Sequence, residues 1–295
     1  MPAEEIPEGS VLVGTDGSPM AERAMDYAVE EAHRRGLGLH VLYAFPWAAQ
    51  AKAWEFSPPP ELVTTGEQVV AAAAERVDKQ WPDVTVTNRV VVEDPASALV
   101  EASRHAALTV VGARGQGDVA DPLMGSVAQK VAAHAHSSVV VVRGETPPDG
   151  PVVVGMDPVE GAPEAMEYAF EEATRRGARL VVVQGAQDDA AFPDFPDAVR
   201  SGHYDANASE HARVTAERLN EWHRRYPEVP LELRLVRERP VRALVEAAEG
   251  AAILVVGSRG RGGLAGFFLG SVSRGVLNRA PLVAVVRARP EPVAD

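Results

Sequence analysis

Val110–Lys130 reads VVGARGQGDVADPLMGSVAQK, and Val255–Gly275 reads VVGSRGRGGLAGFFLGSVSRG. Ten of the twenty-one positions agree at an offset of 145, and the glycines keep one spacing: Gly112-x2-Gly115-x9-Gly125-Ser126 and Gly257-x2-Gly260-x9-Gly270-Ser271. Each copy begins on the valines of a strand and ends on a small-residue start to a helix. Glycines let backbone N–H groups approach an anion without obstruction by a Cβ, and a serine hydroxyl at a helix N-terminus adds donors and a partial positive end. Both loops therefore read as phosphate cradles. Taken one at a time, each also reads as a plain strand cap followed by a helix start.

Working outward, Ala24–Gly36 (AMDYAVEEAHRRG) matches Ala165–Gly177 (AMEYAFEEATRRG) at ten of thirteen positions, at an offset of 141. The period is a whole domain, and 295 residues suit two domains of about 150. Arg143–Pro151 (RGETPPDGP) reads as a short extended linker between them. The expected domains are 1–148 and 149–295.

Each copy runs in the same order. An apolar strand (Val11–Gly14; Val152–Gly155) precedes an amphipathic helix in which Ala24, Tyr27, Ala28 and Ala32 share a face. Ser18 and Pro19 suit an N-cap and a first helical position. Paired arginines and then Gly36 or Gly177 suit a helix C-terminus. A second strand (Leu39–Ala44; Leu180–Gly185) leads to an aromatic-bearing insert (Trp47–Pro60; Phe192–Tyr204), then a long helix near Glu67–Trp81 or Ser209–Tyr226. A third strand and helix, a fourth strand, the glycine loop, a helix and a fifth strand (Val139–Val142; Leu282–Val286) complete the copy. Near-continuous Val/Ile/Leu strands alternating with helices indicate an α/β fold with a parallel sheet covered on both faces. Ligands then belong at the carboxyl ends of the strands.

On these residues both halves resemble the universal stress protein family, whose nucleotide-binding branch carries the same glycine spacing and an aspartate ending the first strand. That aspartate is Asp16 in VGTDGSP and Asp157 in VGMDPVEGAP. The resemblance implies two tandem Rossmann-like domains of strand order 3-2-1-4-5 and ATP as ligand, with Mg²⁺ arriving on the phosphates. It implies that Gly112, Gly115, Gly125 and Ser126 hold the phosphates, that Asp16 meets the ribose and adenine side, and that backbone at Ala44 contacts adenine. Gly257, Gly260, Gly270, Ser271, Asp157 and Gly185 take those roles in the second half. The flanking Gly14, Arg114 and Val127, and Gly155, Arg259, Arg261 and Val272, complete the candidate set. Asp16 and Asp157 also read as Asx-type turn residues. The resemblance also implies fifth strands that pair between subunits in single-domain relatives, so the same pairing between domains, and a further homodimer, are expected.

The two copies depart from one another. The first loop carries Gln116, Asp118 and Asp121 where the second has Arg261, Gly263 and Gly266. The first 150 residues carry a formal charge of −10 and the remainder −3, so the second cradle is electrostatically kinder to phosphate. A valine at Gly112 or Gly257 is expected to close its cradle and leave the fold intact.

Composition removes other chemistries. There is no cysteine, hence no disulfide, thiolate metal site or cysteine nucleophile. A net charge of −13 argues against duplex DNA as a partner. No apolar run approaches the roughly 18 residues of a membrane span. MPAEEIPEG is acidic and lacks an apolar core, so no signal peptide and a cytoplasmic location are expected. The eight histidines form no H-x3-H pair, and no metal site is expected. Gly115-x-Gly117-x2-Ala120 and its counterpart satisfy a dinucleotide fingerprint but follow the fourth strand rather than the first, and no P-loop or G-x-S-x-G elbow exists. Three readings remain: a nucleotide-sensing module acting by binding, a slow ATPase or phosphoryl-transfer enzyme using Asp118 or Asp121, and a nucleotide-free scaffold.

Overall fold

The computed structural model describes residues 6–47, 58–116, 124–156, 163–185, 210–258 and 269–287. They divide into two compact units, the chain passing from one to the other between Glu145 and Thr146.

In the first unit, β1 (Ser10–Thr15), β2 (Leu39–Ala44), β3 (Val86–Val91), β4 (Ala106–Gly112) and β5 (Ser138–Val142) lie in the order β3-β2-β1-β4-β5. Every neighbouring pair is parallel. The crossovers are α1 (Pro19–Arg35), α2 (Pro60–Gln80), α3 (Pro95–Ala102) and α4 (Ser126–His134). The second unit repeats this with β6 (Val152–Gly155), β7 (Leu180–Gly185), β8 (Leu231–Val236), β9 (Ile253–Gly257) and β10 (Leu282–Val286), in the order β8-β7-β6-β9-β10. Its helices are α5 (Pro163–Arg176), α6 (Glu210–Arg225), α7 (Pro240–Ala247) and α8 (Ser271–Leu277). Valines of the central strands are buried on both faces, which explains their continuous apolar runs. Among the described residues no helix is long and apolar enough to cross a membrane.

The helix ends follow the sequence signals. Ser18 Oγ accepts the Ala21 N–H at 3.2 Å with proline at the first helical position, and Gly36 closes α1 at φ 62°. The start of α2 departs from the expected Glu67: Pro60 opens it seven residues earlier. Gly66 therefore lies inside the helix. A Cβ there would stand 2.9 Å from Tyr43 Cδ1 and 3.0 Å from Val90 Cγ1, so the glycine is required by packing against the sheet.

His40 on β2 is fully buried, with Nδ1 2.8 Å from Thr87 Oγ1 and Nε2 without a hydrogen-bond partner. Burial, then the charge of Arg89, lowers its pKa to about 4. The unfolded chain takes up a proton near pH 6.5 that the native ring refuses until about pH 4, so stability is present above that window and is lost as pH falls through it. Between pH 7 and pH 5 the ring is expected to account for about 2 kcal/mol of lost unfolding free energy. His40→Leu should remove that share in urea titrations at the two pH values. An equal loss in parent and variant would sink the assignment.

Candidate functional site

The strand order reverses between β1 and β4, and the two segments that leave their carboxyl ends are tied together. Asp16 Oδ1 accepts the Ser18 N–H at 3.0 Å, the local turn that the sequence allows. Its Oδ2 accepts the Gln116 N–H, a hundred residues away, at 2.8 Å. Gln116 Nε2 returns a bond to the Asp16 carbonyl at 2.6 Å. Asp16 is therefore a brace across the crevice as well as a turn residue. Gly115 makes the brace possible, because a Cβ there would stand 2.3 Å from Asp16 Oδ2. Gly17, at φ 75°, supplies the left-handed step of the same turn.

The glycine loop is held at both ends. Ala113 donates its N–H to Val142 O at 2.7 Å, and Gly125 donates to Ala113 O at 2.8 Å. Gly125 is the extended N-cap of α4 (φ −65°, ψ 156°), and no side chain caps that helix. The first-turn amides at Ser126 and Val127 thus suit an anion. Gly112 ends β4 beside the first turn of α1, where a Cβ would stand 2.9 Å from Met20 O. That neighbour is rigid backbone, so Gly112→Val displaces α1, and the expectation of an intact fold is corrected. Gly14 near the end of β1 faces Leu99 Cδ1, 2.8 Å from where a Cβ would lie.

Positive charge is concentrated here within a half-chain that is acidic overall. Arg114 leaves β4 and Arg143 follows β5. Burial, then the charge of Arg114, holds the Arg143 guanidinium below its usual value. Sequence reasoning missed Arg143, although the repeat carries a signal: Arg287 follows β10 at the same place.

On the other side of the crevice, Ala44 ends β2 and Tyr43 pairs in register with Thr15. Burial, then the Asp16 carboxylate, raises the Tyr43 pKa, so the phenol is an O–H donor at neutral pH. Tyr43 was not among the expected site residues. A tyrosine in a strand has a core explanation from sequence alone, and only register puts it next to Asp16.

The second unit rebuilds the loop ends. Ser258 N–H donates to Val286 O at 2.8 Å and Gly270 N–H to Ser258 O at 3.1 Å, matching the ties at Ala113 and Gly125. Gly257 ends β9, and Gly270 is the N-cap of α8, whose first residues are Ser271 and Val272. Gly155 ends β6 against Leu244, and Gly185 ends β7. Asp157, Arg259, Gly260 and Arg261 lie outside the described residues, as do Asp118 and Asp121 of the first loop. Among the described residues no group of three or more His, Asp or Glu side chains could hold a metal ion.

The model of the universal stress protein family matches residues 9–143 and again 150–287. The chain belongs to the universal stress protein family. A tandem universal stress protein of Mycobacterium tuberculosis is 36% identical over 303 aligned positions that cover 95% of each chain. Among solved structures, a universal stress protein from Archaeoglobus fulgidus superposes with a TM-score of 0.68 at 19% identity, covering 96% of this chain and 97% of that one. A shorter universal stress protein from the same organism, solved with dAMP, covers 45% of this chain at 24% identity and a TM-score of 0.36. In the universal stress protein described here, each family match begins at a first strand and ends just after a fifth, so the repeat seen in the sequence is the family's own unit.

Proposed function

We propose that this universal stress protein is a regulatory nucleotide-binding module whose two domains each take ATP and which acts through binding. The observation that carries the reading is the glycine cradle repeated in both units, with its ends tied by equivalent backbone hydrogen bonds at Ala113–Gly125 and Ser258–Gly270. Glycine at 112 and 115 keeps Cβ atoms out of a backbone that donors must line, and the uncapped start of α4 offers N–H groups to phosphate oxygens. Arg114 supplies local positive charge. Asp16 keeps a lone pair on each carboxylate oxygen beyond the one that each gives to a backbone amide, which suits ribose hydroxyls. The base would lie toward Tyr43 and Ala44. Mg²⁺, if bound, would come with the phosphates and be held mainly by them and by water.

Binding is favoured over catalysis because the acids that could serve as a base, Asp118 and Asp121, have no counterpart in the second loop, which carries Gly263 and Gly266. Proton transfer from water or an acceptor needs a base free to take it. Partners that respond to nucleotide, and a homodimer, complete the proposal.

Acid denaturation of freshly purified protein, followed by chromatographic identification of the released nucleotide, is expected to give between one and two adenine nucleotides per chain. Protein stripped of nucleotide should regain them from ATP. Neither release nor uptake would sink the reading in favour of a nucleotide-free scaffold.

A further inference from the structure

The base sides of the two crevices are built differently, and the geometry points to Tyr43 as a residue that stacks on a nucleobase in the first domain, a role its counterpart Gln184 does not share. This inference rests on the nucleotide reading and deepens it.

Strand register and helix packing bring Tyr43 to the crevice. Register pairs it with Thr15, the residue before Asp16. One face of α2 then places it beside the β1 turn: the backbone of Gly66 lies on the Tyr43 ring, and three residues along Val69 reaches Gly17, with Cγ2 3.5 Å from where a Cβ would be. Residues three apart share a helix face, so ring and turn are neighbours beneath it. Gln116 closes the far side, its Nε2 bonded to the Asp16 carbonyl and 3.8 Å from the same Cβ position on Gly17. Tyr43 is half-buried there, with the Phe45 ring 6.2 Å away and tilted by 57°. An aromatic ring at that place offers a π-face to any base and an O–H to a ring nitrogen or a sugar oxygen.

The repeat puts Gln184 at the corresponding position of β7. Its side chain is fully buried, and Oε1 accepts from Thr215 Oγ1 of α6 at 3.3 Å. Next to it, Gly185 stands where the first domain has Ala44. A Cβ on Gly185 would meet Glu238 O at 2.9 Å and Pro240 Cα at 3.1 Å. The end of β7 thus packs closely against the β8–α7 connection and the start of α7. The first site stacks on the base; the second, in the less acidic half, relies on the phosphates.

The test uses the full chain stripped of nucleotide, with ATP and inorganic tripolyphosphate as separate titrants in calorimetry. Tyr43→Ala should weaken ATP at one site by roughly tenfold, the loss of one stacking contact, and leave tripolyphosphate unchanged. Tyr43→Phe keeps the ring and should stay within about threefold of the parent. Unchanged ATP affinity in Tyr43→Ala, or equal losses for both titrants, would overturn the base-stacking role while leaving ATP binding intact. A parent that takes no ATP would overturn the nucleotide reading itself, and this inference with it.

Discussion

Glu31→Ala is expected to lower the unfolding free energy of the first unit by about 3–5 kcal/mol, far beyond the effect of a surface charge. Glu31 lies in α1 with a fully buried side chain, yet it carries a carboxylate. Arg35 Nε meets Oε2 at 2.8 Å, and Arg34 Nη1 bonds Oε1 while its Nη2 reaches Glu30 at 2.7 Å. Both guanidiniums are themselves largely covered, so removing the carboxylate takes from each a partner that water replaces only poorly. The second unit repeats the arrangement: Glu172 is fully buried against Arg176 Nε at 2.6 Å and Arg175 Nη1 at 3.0 Å. Glu172→Ala should cost as much. Guanidinium titrations that follow each unit's transition provide the measurement. A loss below about 1 kcal/mol in both variants, the size of exposed pairs, would show that the buried carboxylates are not held as ions by these arginines.

Gly115→Val is expected to abolish the first nucleotide site and spare the second. Its Cβ would fall 2.3 Å from Asp16 Oδ2, so the carboxylate must leave and the brace from Gln116 is broken. Gly115 itself is exposed in a loop, which keeps the effect on folding small. The expected readout is a fall in bound ATP from two per chain to one, or a loss of at least about a hundredfold in affinity at one site, with circular dichroism unchanged. Parent stoichiometry at parent affinity in this variant would remove Asp16 and Gly115 from the site. Gly112→Val is the instructive contrast. Its new methyls meet the Met20 carbonyl in the first turn of α1, so stability and binding should fall together.

Much of the architecture was legible in the sequence because it depends on local rules and on repetition. Strand and helix order, the caps at Ser18, Gly36 and Gly177, and the strand–loop–helix context of both glycine spacings follow from periodicity and from backbone preferences that act within a few residues. The repeat itself supplied the domain unit and marked Gly112, Gly125, Gly257 and Gly270 as one feature used twice. Composition alone removed thiol chemistry.

What the tertiary structure decided are the meanings of residues whose partners lie far along the chain. Arg34 and Arg35 read from sequence as favourable charge at a helix C-terminus, and only the tertiary structure shows the buried Glu31 carboxylate that turns them into a structural ion cluster. Gly66 lies ahead of the helix start expected near Glu67, and only its close approach to the Tyr43 ring shows why a glycine stands there. Asp16 could be a turn residue or a ligand, and its bond to Gln116 makes it a brace between two strands' loops. In each case a local preference is worth a few tenths to about 1 kcal/mol, whereas close packing and the burial of a charge are worth several. Short-range rules therefore wrote the elements into the sequence, and the larger long-range terms chose what each of these residues does.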